Sequence, residues 1–432
     1  MNPRPDAPAS ALWFSTARPA PDLPELEGER RAEVAIVGAG ILGCATALRL
    51  AERGVRVVVL EAREPGFGAS GRNNGQVIPT ITRPNPDDIV RAFGETVGPR
   101  LVRLIGGAAA EAFELIRAHR IDCDAVQNGW VQPAHRESRM ALAKSRVEQW
   151  SRHGMDVRML SRDEVSGLLG SDRYHGGWMA PTGGHINPLG YSRGLAGAAL
   201  AAGAAIHARS PATAIRPEGS GWRIETPRGA VVAPKVLLAT AGYTDGLWPG
   251  LARSVVPATS WQAATAPLPR SLRARILPTN VTMSDTQADL RFCHFDRDGR
   301  LVAGGALIFT SNAVPRLRRI VAQRLRHIFP ALRDHPELRI EQVWNGEMAM
   351  TQDHLPHFHA LADGVFASLG CNGRGVAMNS ALGRALADAL TGVPESRLEV
   401  PLTRMSTIPA HALARRVARG LLAWYRIRDR RD

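Results

Sequence analysis

AEVAIVGAGILGCATALRLAERGVRVVVLEA, residues 32–62, decides how this chain is read. Residues 34–37 are apolar without a break, as in a strand buried on both faces. Gly38, Gly40 and Gly43 follow and spell GxGxxG. In that pattern the first glycine makes the tight turn, the second lets backbone approach a pyrophosphate, and the third lets helix and strand pack closely. Ile41 and Leu42 open the helix, whose N-terminal amides and partial positive charge face the phosphates. Residues 55–60 form the next strand, and Glu61, followed by Ala62, ends it. An acid about 20 residues beyond the glycines is where a ribose hydroxyl is held. Strand, turn, helix, strand and acid together predict dinucleotide binding. The plain alternative is a tight strand–helix turn with no ligand.

The chain has 432 residues, enough for two or three domains, and 44% of them are hydrophobic, as in an ordinary globular core. Its net charge of +14 suits an acidic partner, but the arginines are scattered and no aromatic–basic platform for RNA is visible, so nucleic-acid binding is not expected. The longest apolar stretch, 195–206, is too short against the ~20 residues of a membrane span, and the first ten residues contain no apolar signal region. Cys44, Cys123, Cys293 and Cys371 form no CxxC pair, so neither a metal nor a disulfide framework is expected. The histidines of DHLPHFH (residues 353–359) lack an apparent fourth ligand and read as structural. These features predict a cytoplasmic protein.

Residues 1–31, rich in Pro, Ala and acid, read as an extended arm with no core of its own. After the dinucleotide unit comes a glycine-rich loop, then helical periodicity over 86–120, a strand over 125–132 and a polar helix over 136–153. Ser161 and Glu164 make a capping box, and Asn187 with Pro188 starts another helix. Residues 257–345 alternate strand-like runs with one helix near 316–329, and the segment 370–392 opens a strong helix. Residues 405–432 read as a basic amphipathic helix, with Leu413, Val417, Leu421 and Trp424 on one side.

The GxGxxG unit, the loop GASGRNNGQ (68–76) and the late GCNGRGVAMNSALG (370–383) occur together in one family. With them stand LWFSTARPAPDLPELEG (12–28), GGHINPLGY (183–191), VVPATSWQAATAPL (255–268) and MTQDHLPHFH (350–359). The chain resembles the D-amino-acid-oxidase-like, FAD-dependent oxidoreductases that include sarcosine oxidase, and is most similar to their γ-glutamylputrescine oxidoreductase branch. The resemblance and the pattern together imply an α/β fold, a Rossmann-like FAD-binding domain interleaved with an antiparallel-sheet α+β substrate domain. The FAD domain is expected over 32–85, 157–250 and 350–395, and the substrate domain over 86–156 and 251–349.

The resemblance also implies site residues. Ala69, Ser70 and Gly71 would serve the second phosphate and the ribityl chain, with Arg72, Asn73, Gly75 and Gln76 beside the isoalloxazine. Ala212 and Thr213 would lie against adenine, and Ala241 and Gly242 where the returning strand meets the cofactor. Gly370, Asn372, Gly373, Arg374, Gly375 and Val376 would form the last flavin turn, aiming a helix N-terminus at the flavin pyrimidine. The implied reaction oxidises a C–N bond of a small amine or amino acid by hydride transfer to FAD, and the imine then hydrolyses. The chemistry is largely the cofactor's. His294, Arg72 and Arg374 are the catalytic candidates, and Trp261, Gln262, Trp344, Glu347 and Met348 the substrate-facing ones.

Departures from sarcosine oxidase shape the expectation. Met348 stands where some relatives carry a flavin-linking cysteine, and Asn73 and Asn74 where others carry histidine, so FAD is expected to be noncovalent. Ala377 replaces the carboxylate-gripping lysine, which argues against a simple α-amino acid unless Arg374 or Arg72 takes over. The oxygen-activating lysine is replaced near Val302, which leaves oxygen or a quinone as electron acceptor. A second reading is an amino-acid dehydrogenase that touches the membrane surface through its basic tail and passes electrons to quinone.

Overall fold

A computed structural model describes residues 11–307, 312–333, 335, 338–415, 417 and 424. The alternation of apolar residues builds the first layer. Strand Val34–Val37 pairs in parallel with Val57–Leu60 on one side and Lys235–Leu238 on the other. Ala205–His207, Val365–Leu369, His357–Ala362 and Leu402–Arg404 complete a seven-stranded sheet. Val34, Ile36, Val57 and Val59 point to one face and pack on helices, while Ala35, Val37, Val58 and Leu60 point to the other, as a period of two requires. The helical face carries Ile41–Ala51, Pro188–Ala201 and Gly375–Leu390. The opposite face carries a four-stranded sheet, in which Gly28–Arg31 joins the edge of the meander Ala214–Glu218, Gly221–Glu225 and Gly229–Ala233.

A second, eight-stranded sheet forms the roof. Its order is Ile340–Met350, Val256–Thr265, Leu301–Gly305, Phe292–Phe295, Thr282–Ser284, Trp130–Pro133, Gly177–Ala180 and Arg158–Leu160. All neighbours are antiparallel except Thr282–Ser284 with Trp130–Pro133. Helix Ala313–Ile328 covers its outer face. Leu317, Val321 and Leu325, one turn apart, are buried against the sheet, while Arg318 and Arg319 stay exposed.

The α/β class and the interleaving of two sheet systems agree with expectation; several boundaries change. Arg158–Leu160 and Gly177–Ala180, expected in the FAD domain, belong to the roof sheet, because both pair with each other and the latter with Trp130–Pro133. Helix Pro86–Ala118, expected in the substrate domain, shares the core of the cofactor sheet. Leu101, Val102, Ile105, Ala109 and Ala112 bury one stripe there. It is two helices broken at Gly94 (φ 78°), with Pro99 inside the second. The arm is not merely extended. Leu12–Thr16 is a helix with Leu12 and Trp13 buried beside Leu189, Val302 and Trp344, and Gly28–Arg31 is a strand. In the tail, Leu402–Arg404 is a strand and a helical turn starts only at His411, whose Nε2 lies 2.8 Å from the Val255 carbonyl oxygen. Beyond residue 415 only Val417 and Trp424 are described, so the rest of the expected basic helix lies outside the described residues. No described helix is long and apolar enough to cross a membrane.

The two helices that frame the cofactor crevice touch with only the Ala45 methyl facing Gly383. A Cβ on Gly383 would fall 2.5 Å from Ala45 Cβ and 2.9 Å from its carbonyl carbon. Gly383→Leu is expected to destabilise the protein by about 1–3 kcal/mol through overpacking, read as a lower urea midpoint at unchanged m-value.

Candidate functional site

The glycine turn brings backbone to the crevice. Gly38 adopts φ 107°, and a Cβ on Gly43 would fall 1.9 Å from the Gly38 carbonyl oxygen, so the helix starts directly on its strand. Glu61 closes the turn, accepting from the Ala39 N–H at 2.8 Å and the Arg63 N–H at 2.9 Å, while burial raises its pKa. The Ile41 N–H, at the helix start, donates to Ser70 Oγ at 3.0 Å. A Cβ on Gly40 would sit 2.7 Å from that same hydroxyl oxygen.

Ser70 belongs to the loop 68–76, which its asparagines wind tightly. Asn73 donates through Nδ2 to the carbonyls of Ala69 (3.1 Å) and Ser70 (2.7 Å), and its Oδ1 accepts from the Gly75 N–H at 2.8 Å. Asn74 Oδ1 accepts from the Gln76 N–H at 2.9 Å. Such Asx turns replace backbone pairing where a chain must double back. Gln76 ties the loop to the roof, donating to Met283 O at 2.9 Å and accepting from Ser284 Oγ at 2.7 Å.

The late glycine segment supplies the facing wall. Asn372, at φ 48°, accepts from the Thr351 N–H at 2.9 Å and donates to Gly370 O at 2.6 Å. Helix Gly375–Leu390 then begins with no side-chain cap. Its first amides and the positive end of its dipole open on the crevice.

Between these walls and the roof lies a cavity of about 290 Å³. Of the expected residues, Ile41, Ala69, Ser70, Arg72, Asn73, Gln76, Ala241, Gln262, Glu347, Met348 and 372–376 line it. Gly38, Gly40, Leu42, Gly43, Glu61, Ala62, Gly71, Gly75, Gly242 and Gly370 shape its backbone surroundings without lining it, and Ala212 and Thr213 lie further along, before strand Ala214–Glu218.

Two guanidinium groups dominate its electrostatics. Arg72 is 6% exposed and Arg374 7%. Arg72 Nε and Nη2 have no hydrogen-bond partner, and the group stacks over Phe67 at 4.6 Å. Arg374 lies over Trp130 at 5.2 Å, and among the described residues no carboxylate pairs with it. Burial pulls Arg374 down to about 9, helped by the like charge of Arg146. On the opposite wall Glu347 Oε1 accepts from Thr259 Oγ1 at 2.6 Å, and Asp289 pairs with Arg324. Buried unpaired cations are costly, so this cavity is built for an anionic or electron-rich guest. Uncapped helix ends, a glycine cradle and orphaned guanidinium nitrogens fit a flavin dinucleotide.

Three expected residues sit elsewhere. Trp261 turns into the core beneath helix Ala313–Ile328, because alternate strand residues face opposite ways. Ser260 and Gln262 line the cavity instead. Trp344 is buried with Trp13 and donates to Arg72 O at 2.9 Å, behind the loop. His294 lines a second cavity of about 290 Å³ with Trp13, His185 and Asn187, and burial lowers its pKa. Strand periodicity would have selected Ser260. Nothing local marks Asp289 and Phe292, which a roof hairpin delivers.

A family profile described as FAD dependent oxidoreductase matches residues 33–389. γ-Glutamylputrescine oxidoreductase of Escherichia coli K12 is 31% identical over 369 residues, 84% of each chain. A probable oxidoreductase, OrdL, of Rhizobium meliloti is 30% identical over 432 residues, 99% of each. Among solved structures, glycine oxidase from Geobacillus kaustophilus superposes with a TM-score of 0.66 at 23% identity, covering 84% of this chain and 95% of that one.

Gly40→Val is expected to abolish FAD retention, leaving a colourless purified protein, since its side chain would displace Ser70 and fill the pyrophosphate approach. A second expectation concerns the hairpin 285–291 at the cavity rim. Asp285 Oδ1 accepts from the N–H groups of Gln287 and Arg291, both at 3.1 Å, and burial pushes its carboxyl up to about 7. In the unfolded chain it ionises near 4, so wild-type stability falls as pH rises from about 4 to about 7. Asp285→Asn escapes that loss. Its stability relative to wild type should therefore improve by roughly 2–3 kcal/mol between pH 5 and pH 8 in urea unfolding.

Proposed function

From the premise that this chain belongs to the FAD-dependent oxidoreductase family, we propose that it oxidises a C–N bond of a small amine that also carries a carboxylate. The single observation that carries this reading is a pair of buried guanidinium groups in one cavity, Arg72 and Arg374, neither with a carboxylate partner among the described residues. A compound of the γ-glutamylputrescine type, or a secondary or D-amino acid, has that chemistry, and the E. coli relative acts, by its name, on γ-glutamylputrescine.

FAD, noncovalently held, supplies the two-electron acceptor for the C–N bond. Ser70 and the N–H groups at the start of helices Ile41–Ala51 and Gly375–Leu390 hold its anionic parts, Glu61 its ribose, and Gly38 and Gly40 leave room for its backbone contacts. Arg374 and Arg72 take the substrate carboxylate by charge-assisted hydrogen bonds and so orient the amine-bearing carbon. The same two cations disfavour an ammonium ion beside them and favour the neutral amine, the form that gives up hydride. Glu347, opposite, suits a distal ammonium. No histidine lines the cavity among the described residues, and the amine enters it in the neutral form, its proton left to bulk water. The product imine hydrolyses in water. The four free cysteines suit the cytoplasm, where we place the enzyme.

The test is anaerobic mixing of the holoenzyme with γ-glutamylputrescine, sarcosine, proline, D-amino acids and putrescine. Bleaching of the flavin bands by a carboxylated amine, with putrescine inert, is the expected result. Arg374→Leu should then raise KM for that amine about a hundredfold. Equal bleaching by putrescine, or an unchanged KM, refutes the carboxylate assignment.

A further inference from the structure

Three consecutive carbonyl groups of the cofactor loop each meet a ring nitrogen. Trp344 Nε1 donates to Arg72 O at 2.9 Å, Trp13 Nε1 donates to Asn73 O at 2.8 Å, and His294 Nε2 lies 2.5 Å from Asn74 O. His294 Nδ1 lies 2.8 Å from Phe295 O. A neutral imidazole has one N–H to give, and the shorter contact directs it to Asn74. The rings form one block. Trp13 meets Trp344 edge-on with centroids 5.9 Å apart and stacks on His294 at 6.4 Å with 3° between planes. They come from the arm helix and from two separate roof strands.

The three donors stand behind the loop. None lines the first cavity, whereas Arg72, Asn73 and Asn74 all do. In a trans peptide the N–H points opposite to the C=O, and no peptide here is cis. Drawing the Asn73 carbonyl toward Trp13 therefore turns the Asn74 N–H toward the cavity, where it has no acceptor among the described residues.

We propose that Trp13, Trp344 and His294 are positioning residues for the flavin. They hold three carbonyl oxygens away from the isoalloxazine and keep the Asn74 N–H presented to it. Carbonyl oxygens turned the other way would oppose the negative charge that the ring gains on reduction. The N-terminal arm thus belongs to the redox site although it touches neither cofactor nor substrate. The inference rests on FAD as the cofactor and not on the identity of the amine.

The experiment reconstitutes purified apoprotein with FAD. Trp13→Phe keeps an aromatic ring and deletes the N–H. Its apoprotein should melt close to wild type, while Kd for FAD rises about three- to tenfold and the flavin reduction potential falls. His294→Gln, which retains an N–H donor, should bind FAD like wild type, and His294→Leu should weaken it as Trp13→Phe does. Wild-type Kd and potential in Trp13→Phe and Trp344→Phe would overturn the proposal, as would equal behaviour of the two His294 variants. Should Trp13→Phe fail to fold, the His294 pair decides alone. None of these readouts involves substrate, so a failed substrate assignment cannot be mistaken for a failed clamp.

Discussion

The closeness of helix Ile41–Ala51 to its own strand governs the rest of the molecule. No carbon atom fits at Gly43 against the Gly38 carbonyl, and none at Gly383 against Ala45. These two contacts bring a pair of helix N-termini to the carboxyl ends of parallel strands, where the sheet order opens a crevice. With both helices drawn in, the amides at their tips converge on the loop 68–76 and the turn 370–376. The roof sheet then needs only to cover what the helices have already assembled.

That convergence has an electrostatic cost. Two positive helix ends and two unpaired guanidiniums share one small cavity, and burial lowers Arg374 in consequence. Anionic guests offset these charges, so the protein's stability is linked to occupancy of the cavity. The chain puts this expense in the binding site, whereas surface arginines such as Arg223, with Glu29 and Glu218, sit in ordinary ion pairs.

The cofactor half was legible because its signals are local. Unbroken apolar strands, glycines at set spacing and an acid beyond them are each a short-range constraint, and the structure brings Val34–Val37, Ile41–Ala51 and Glu61 together as that spacing requires. The roof was less legible, since its strands are contributed by distant segments, and Arg158–Leu160 joins it only by pairing with Gly177–Ala180. Trp261 and Gln262 show the finer difficulty. A run of residues can be assigned to the right strand and still present the wrong neighbour to the site, because adjacent side chains face opposite layers. His294 looked chemical by type, but it is buried away from the first cavity with its N–H turned to the Asn74 carbonyl. The arm's role lies in tertiary contacts that no local pattern announces.

The position of Trp13 carries a consequence for biogenesis. This residue is made before its neighbours Leu189, Val302 and Trp344, which are spread over the chain that follows it. The nascent arm must therefore wait, unpacked, until the roof strand Ile340–Met350 has been made. Contacts of such sequence separation form late and slow folding. The loop 68–76 thus acquires its final shape only after that strand has been made.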